Sequence, residues 1–255
     1  MKFERSEVIM NRVQVLAKEM KHFFSPETVT NVYDICRKLG IEIIEAPIKA
    51  DAYLECENGN TYIVLKKSLY DKRKKFTIAH ELGHFYIPWH SELMFGCDIN
   101  EMDFKNDYAP REKEANQFAA ELLMPTEEFK AYFSGKVSYT AVSEMANIFD
   151  VSFHAALNRC IDMAYEDCLV VCSYDRCIRW VKATEDFPLF ITRKNVSQLS
   201  GADELFDSQL FQIKTIEEPG YVWFGNDTDR TIYEESIAFP NYKQVITIIH
   251  LKDEF

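Results

Sequence analysis

Residues 76–90 read FTIAHELGHFYIPWH, with three histidines and one glutamate in fifteen positions. Everything else in the chain is best read outward from here. On a helix each residue advances about 100°, so positions i and i+4 lie nearly over one another. His80 and His84 stand four apart and offer two imidazoles to one cation. Glu81 is rotated about 100° from His80, which places its carboxylate beside such a cation rather than on it. H-E-x-x-H thus carries two ligands and one general base on a single helix. Phe76, Ile78, Ala79, Leu82 and Phe85 give that helix apolar residues to bury. Pro88 is expected to end it, because proline lacks an N–H and clashes with the preceding turn.

Zinc (Zn2+) suits these donors, since it takes imidazole and carboxylate ligands and its catalytic sites keep a position for water. Such an ion acidifies a water to a pKa of about 7. Glu81 is placed to take that water's proton and pass it to a leaving amine. Two residues compete as third ligand. His90 follows His84 by six, the spacing of the longer H-E-x-x-H-x-x-G-x-x-H motif. That motif turns sharply at its glycine, and here the position is Ile87, a β-branched residue poorly suited to positive φ. His90 therefore reads as a histidine beyond a broken helix.

The other candidate lies in APREKEANQFAAELLMP, residues 109–125. Pro110 opens a helix there and Pro125 stops it. With Glu112 at 0°, Ala115, Phe118, Ala119, Leu122 and Leu123 define an apolar face centred near about −50°. Glu112 sits about 50° from that centre, Glu114 about 110° and Glu121 about 130°. Glu112 is thus the one acid on the buried face, where a carboxylate needs a partner such as a cation. Complementing the helix N-terminus is its ordinary alternative role. Asn116, at i+4, shares the face and is placed to orient a ligand. Tyr86, His90 and Tyr108 are the nearby polar side chains for stabilising a transition state. On this reading Glu112→Ala weakens metal binding and Glu114→Ala does not.

Around this centre the chain reads as an α+β protein. Residues 4–23 have helical periodicity, and Ser25-Pro26-Glu27 looks like the cap and first turn of a second helix that Gly40 closes. IEIIEA, AYLEC and TYIVLKK are β-prone, with an Asn58-Gly59 hairpin signal between the last two, giving a small three-stranded sheet. Residues 91–109 read as loop, and two or three short helices follow from 126 to 164. CLVVCS, CIRWVKA, YVWFG, RTIYEESIAF and QVITIIHL are β-rich. The expected division is a metallopeptidase core over 1–125, a helical, helix-turn-helix-like subdomain over 126–164 and a β-rich C-terminal domain over 165–255.

A net charge of −12 in 255 residues makes nucleic acid a poor ligand. SYTAVSEMANIFDVSFHAALNRCIDM has the outline of a helix-turn-helix with Ser152 as a cap. Yet from Lys136 to Asp162 there are two basic residues and three acidic ones, so a role in docking a protein fits better than DNA reading. KKSLYDKRKK, residues 66–75, reads as a solvated helix start, with gripping an acidic segment as the alternative. Cys168 and Cys172 share a strand face and Cys177 falls out of phase, which favours buried thiols over a second metal. Seven cysteines without framework spacing fit a reduced cytoplasm. No stretch has the apolar length of a membrane span or the apolar core of a signal peptide.

FTIAHELGH, EKEANQFAAELLMP and FDVSFHAALNR together resemble the ImmA/IrrE family of bacterial and phage zinc metallopeptidases, in order and spacing over about residues 25–164. The resemblance implies a thermolysin-like site, with His80 and His84 as histidine ligands, Glu112 as glutamate ligand and Glu81 as catalytic base. It also implies a substrate: a helix-turn-helix transcriptional repressor, cleaved to relieve repression.

Overall fold

Asn58 and Gly59 both take left-handed backbone conformations, with φ of 51° and 80°. That pair of positive φ values closes a tight hairpin, and asparagine followed by glycine tolerates it best. The hairpin joins β2 (Ala52–Glu57) to β3 (Asn60–Lys66), and β1 (Ile41–Ala46) lies on the other side of β3. The order is β1-β3-β2, with β1 parallel and β2 antiparallel to β3. The central strand buries Ile63, Val64 and Leu65.

The structure is a computed structural model that describes residues 11–91, 104–225 and 228–252, the side chains of 91 and 104–109 excepted. It is an α+β protein of two compact units. The first runs to Tyr132 and takes in Met145–Ala155. The second comprises Phe133–Glu144 and Ala156 onward.

In the first unit, α1 (Arg12–Phe24) opens with a capping box in which Asn11 and Gln14 exchange side-chain-to-backbone hydrogen bonds. The expected start near residue 4 lies outside the described residues. α2 (Val32–Leu39) is capped by Asn31, not by Ser25, and closes on Gly40 at φ 72°. Ser25 instead ends α1: its N–H donates to the Lys21 carbonyl, and its hydroxyl accepts from the Asn31 N–H at 3.0 Å. The intervening loop is fixed by the buried Lys21 ammonium, which donates to the Glu27 and Thr28 carbonyls and the Thr30 hydroxyl. A donor buried inside the loop satisfies its carbonyls, so no helical turn is needed there.

α3 (Asp71–Tyr86) ends as its sequence predicts, with Ile87 extended at φ −75° and Pro88 opening the four-residue α4 (Pro88–Ser91). α5 (Phe104–Leu123) begins six residues before Pro110, which lies inside it. A proline removes one hydrogen bond but does not forbid a helix around it. α6 (Thr126–Tyr132) follows directly. α7 (Tyr139–Ile148) and α8 (Phe153–Asp162) are joined by a turn in which Asp150 has φ 50°, and the Ser152 hydroxyl accepts from the Ala155 N–H at 3.1 Å. Both helices are divided between the two units.

The second unit is built on β4 (Leu169–Tyr174), β5 (Cys177–Ala183), β6 (Gln212–Pro219), β7 (Thr231–Phe239) and β8 (Gln244–Leu251), with short helices α9 (Gly201–Leu205) and α10 (Tyr221–Phe224). The sheet is antiparallel in the order β5-β4-β8-β7-β6. Leu169, Val171, Trp223, Ile232, Val245 and Ile249 form its core. YVWFG, β-prone by composition, is the single turn α10 instead. The Gly220 carbonyl accepts from Trp223 and Phe224, and Gly225 leaves the turn at φ 92°. The turn buries Trp223, whose indole N–H donates to Glu234 at 2.7 Å. Burying that large ring with its donor satisfied outweighs the weak strand preference of four residues.

Candidate metal centre

α3 and α5 pack at very short range. A Cβ placed on Gly83 would lie 3.2 Å from the Ala115 Cα and 3.2 Å from the Phe118 Cβ, so glycine is what lets the two backbones approach. The approach sets one face of α3, carrying His80 and His84, against the stretch of α5 carrying Glu112 and Asn116.

The Nε2 atoms of His80 and His84 are 3.1 Å apart. Glu112 reaches both, with Oε2 at 3.2 Å from His80 and Oε1 at 3.2 Å from His84. Among the described residues these three are the one group of His, Cys, Asp or Glu able to share an ion, their ligand atoms all lying within 4.8 Å of one another. The fit to zinc can be tested directly. Bonds of about 2.0–2.1 Å in a tetrahedron place ligand atoms about 3.3 Å apart. Separations of 3.1 and 3.2 Å are close to that edge length.

The surroundings keep the two imidazoles in ligand form. Burial lowers the pKa of His80 against the pull of Glu112. His84 falls to about 4 through burial and the neighbouring His80. Both shifts favour the neutral ring, the form in which imidazole binds a metal. His80 Nδ1 lies 3.1 Å from Asn116 Oδ1, an acceptor that favours the ring proton on Nδ1, so that Nε2, which faces Glu112 Oε2, is the atom free to meet a cation. Glu81 is 7% exposed, and burial followed by the nearby Glu112 charge raises its carboxyl to about 7.

The other predicted residues distribute unevenly. Tyr86 packs its ring on Phe118, 6.2 Å between centres. The side chain of Tyr108 lies outside the described residues. His90 is buried and turned away from the ligand cluster, with Nδ1 at 3.1 Å from His84 Nδ1 and Nε2 at 2.8 Å from Glu114 Oε2. Glu114 also accepts from the Trp89 indole at 2.7 Å. Burial works to raise the Glu114 carboxyl, but the Trp89 and His90 donors outweigh it and hold the group below the usual carboxylate range. Neither Glu114 nor Trp89 is conspicuous in the sequence. The wheel sets Glu114 aside from the apolar face, and its partners arrive from α4, which no periodicity announces.

The wheel also errs on burial: Glu121 is 1% exposed, whereas the Glu112 side chain is 32% exposed, the same as that of Glu114. The Glu121 carboxylate accepts from the Thr126 N–H at 2.9 Å and the Thr126 hydroxyl at 2.7 Å, so it caps α6. A wheel treats one helix alone and does not see the neighbour that folds over its polar side. The basic run at the start of α3 is spent within its own unit. Arg73 pairs with Asp51 at 2.8 Å, Lys74 with Glu45, and Lys72 and Lys75 with Asp150. Cys168 and Cys172 are buried free thiols and Cys177 is exposed. Burial pushes Cys168 up to about 12, which suits an inert small hydrophobe.

The sequence model of the IrrE N-terminal-like domain, from the peptidase M78 family, matches residues 36–160. Over residues 36–160 this chain belongs to the ImmA/IrrE family. The matched ImmA/IrrE span contains His80, Glu81, His84, Glu112 and Asn116. No curated protein sequence matches this chain. Among solved structures, a Mycobacterium tuberculosis transcriptional regulator is similar over 94% of this chain and 75% of its own, with a TM-score of 0.63 and 13% identity. At that identity the likeness concerns the fold. No helix among the described residues is long and apolar enough to cross a membrane.

Proposed function

We propose that this ImmA/IrrE protein is a zinc-dependent endopeptidase that hydrolyses a peptide bond in a protein substrate. The observation that carries the reading is the convergence of His80, His84 and Glu112 on a space one ion fills, with Glu81 buried beside it. The ion, when bound, supplies a Lewis acid that acidifies water and polarises a carbonyl. The chain's own residues do the rest. His80 and His84 face one another through Nε2, Glu112 supplies the anionic ligand, and Asn116 fixes the His80 ring. Glu81 acts as general base and then as acid, taking a proton from water and delivering it to the departing amine. A carboxyl near 7 is well matched to both transfers at neutral pH.

The substrate we propose is a helix-turn-helix transcriptional repressor, whose cleavage relieves repression in the cytoplasm. Family membership and the free thiols support this assignment. The test is incubation of the zinc-loaded chain with purified helix-turn-helix repressors, beginning with any encoded beside it, followed by mass spectrometry of the fragments. Glu81→Gln should keep zinc and lose about 10²–10⁴-fold in cleavage rate. Undiminished cleavage by that variant refutes the mechanism.

A second reading is a non-catalytic, metal-containing regulator that binds a repressor or DNA. It is motivated by the similar structure, which is named a transcriptional regulator. Gel-shift binding to a promoter, or capture of intact repressor, unaffected by Glu81→Gln would favour it. The charge of −12 opposes the DNA form of this reading.

A further inference from the structure

Beyond His80, His84 and Glu112 lies a second polar chain that ends on one of the ligands. Pro88 starts α4 immediately after α3, and the His90 N–H donates to the Ile87 carbonyl at 3.0 Å. This turn brings Trp89 and His90 to Glu114 on α5. His90 is 4% exposed, so both of its ring nitrogens must find protein partners. Nε2 meets Glu114 Oε2 at 2.8 Å, and Nδ1 meets His84 Nδ1 at 3.1 Å.

Proton counting then assigns the ring states. A carboxylate only accepts, so His90 Nε2 carries a proton. A neutral His90 protonated there has a bare Nδ1. The facing His84 Nδ1 must then be the donor, which leaves His84 Nε2 bare. That atom faces His80 Nε2 and, at 3.2 Å, Glu112 Oε1, an acceptor that draws the His84 proton the other way unless a cation lies between them, so the relay works against this pull. The opposite arrangement, with a proton on His90 Nδ1, would force the His84 proton onto Nε2 and aim it at the cation's place.

We propose that Glu114 and His90 form a positioning relay that locks His84 in the Nδ1–H tautomer and presents its Nε2 to the metal, with Trp89 anchoring the Glu114 carboxylate. The relay rests on the reading of His80, His84 and Glu112 as a metal site. It gives His84 the service that Asn116 gives His80, but ends on a charge instead of an amide. The expectation that Glu114→Ala leaves metal binding intact is thereby reversed. Outer partners of this kind typically change metal affinity by about 10–100-fold.

The experiment uses the full chain and two readouts. The first is zinc affinity by competition with a chromophoric chelator. His90→Phe and Glu114→Ala should each raise the zinc dissociation constant by about 10–100-fold, and Glu114→Gln, which keeps an acceptor and loses the charge, by less. The second is the ¹⁵N imidazole spectrum of the metal-free protein. His84 should show a protonated Nδ1 and a bare Nε2 in the wild type, and a mixture of tautomers in His90→Phe. His84→Ala and Glu112→Ala serve as reference. If these two bind zinc as the wild type does, the metal-site reading fails. If they lose zinc while His90→Phe and Glu114→Ala keep both wild-type affinity and the wild-type tautomer, the relay fails and the site stands. Should His90→Phe not fold, Glu114→Gln and Glu114→Ala decide, and unchanged affinity and spectrum in both overturn the relay.

Discussion

Five glutamates show how a side chain's surroundings set its role. Glu81 is pushed towards neutrality by burial, which suits proton transfer. Glu112 faces two imidazoles, Glu114 holds a histidine and an indole, and Glu121 caps a helix. Glu218, in the second unit, is buried near Glu234 and, among the described residues, has one carboxyl oxygen without a hydrogen-bond partner. Glu234 already accepts from Trp223 and Ser236, both at 2.7 Å. Burial first, and the Glu234 carboxylate second, raise the Glu218 pKa far above that of an ordinary glutamate. A carboxyl whose pKa is raised on folding stabilises the fold at low pH. That contribution is complete below the unfolded value near 4.5 and fades as pH rises through the folded one. Glu218→Gln removes the cost of ionisation. Thermal unfolding should therefore show it stabilised relative to wild type at pH 8 and close to neutral in effect at pH 4.5. Equal effects at both pH values would refute the assignment.

At the level of elements, the candidate metal centre depends on the distance between α3 and α5. Gly83→Ala gains about 1 kcal/mol of helix propensity. The added methyl, however, meets the Ala115 Cα at 3.2 Å, a backbone atom that cannot rotate away. Overpacking of this kind costs about 1–3 kcal/mol. Urea unfolding of the metal-free protein should show a net loss of stability, and chelator competition should show weaker zinc binding, because Glu112 is displaced from the two histidines. An unaltered zinc affinity would mean that the helix spacing does not set the site. The junction of α5 and α6 rests on Glu121. Glu121→Ala strips the Thr126 N–H and hydroxyl of their acceptor and should cost about 1–3 kcal/mol in the same assay.

For the whole molecule, a ligand that binds only the folded state stabilises it by mass action. Zinc at a free concentration a hundredfold above its dissociation constant should add about 2.7 kcal/mol. Calorimetry should show the zinc-loaded chain melting above the chelator-treated one, with no difference for His84→Ala. The sheet β5-β4-β8-β7-β6 contributes no residue to the ligand set, so Glu218→Gln should leave the zinc-induced shift unchanged.

Much of this protein is legible in its residues because the signals are local. The i, i+4 spacing of His80 and His84, the Asn58-Gly59 turn and the stop before Pro88 act within one or two turns of chain, and the backbone obeys them. The face of α5 that holds Glu112 is equally a matter of period. Other features depend on partners distant in sequence. Ser25 ends a helix rather than starting one because a buried Lys21 holds the loop beyond it. YVWFG curls into a turn because Trp223 finds Glu234. Glu114 and Glu121 lie on what a lone helix presents as polar faces, and only α4 and α6 folding against them turns those faces inward. Sequence alone therefore determined which two imidazoles, which proposed base and which carboxylate are the candidates for the site. The tertiary structure decided which outer groups aim them, since packing between segments, not periodicity along one, brings Glu114, His90 and His84 into line.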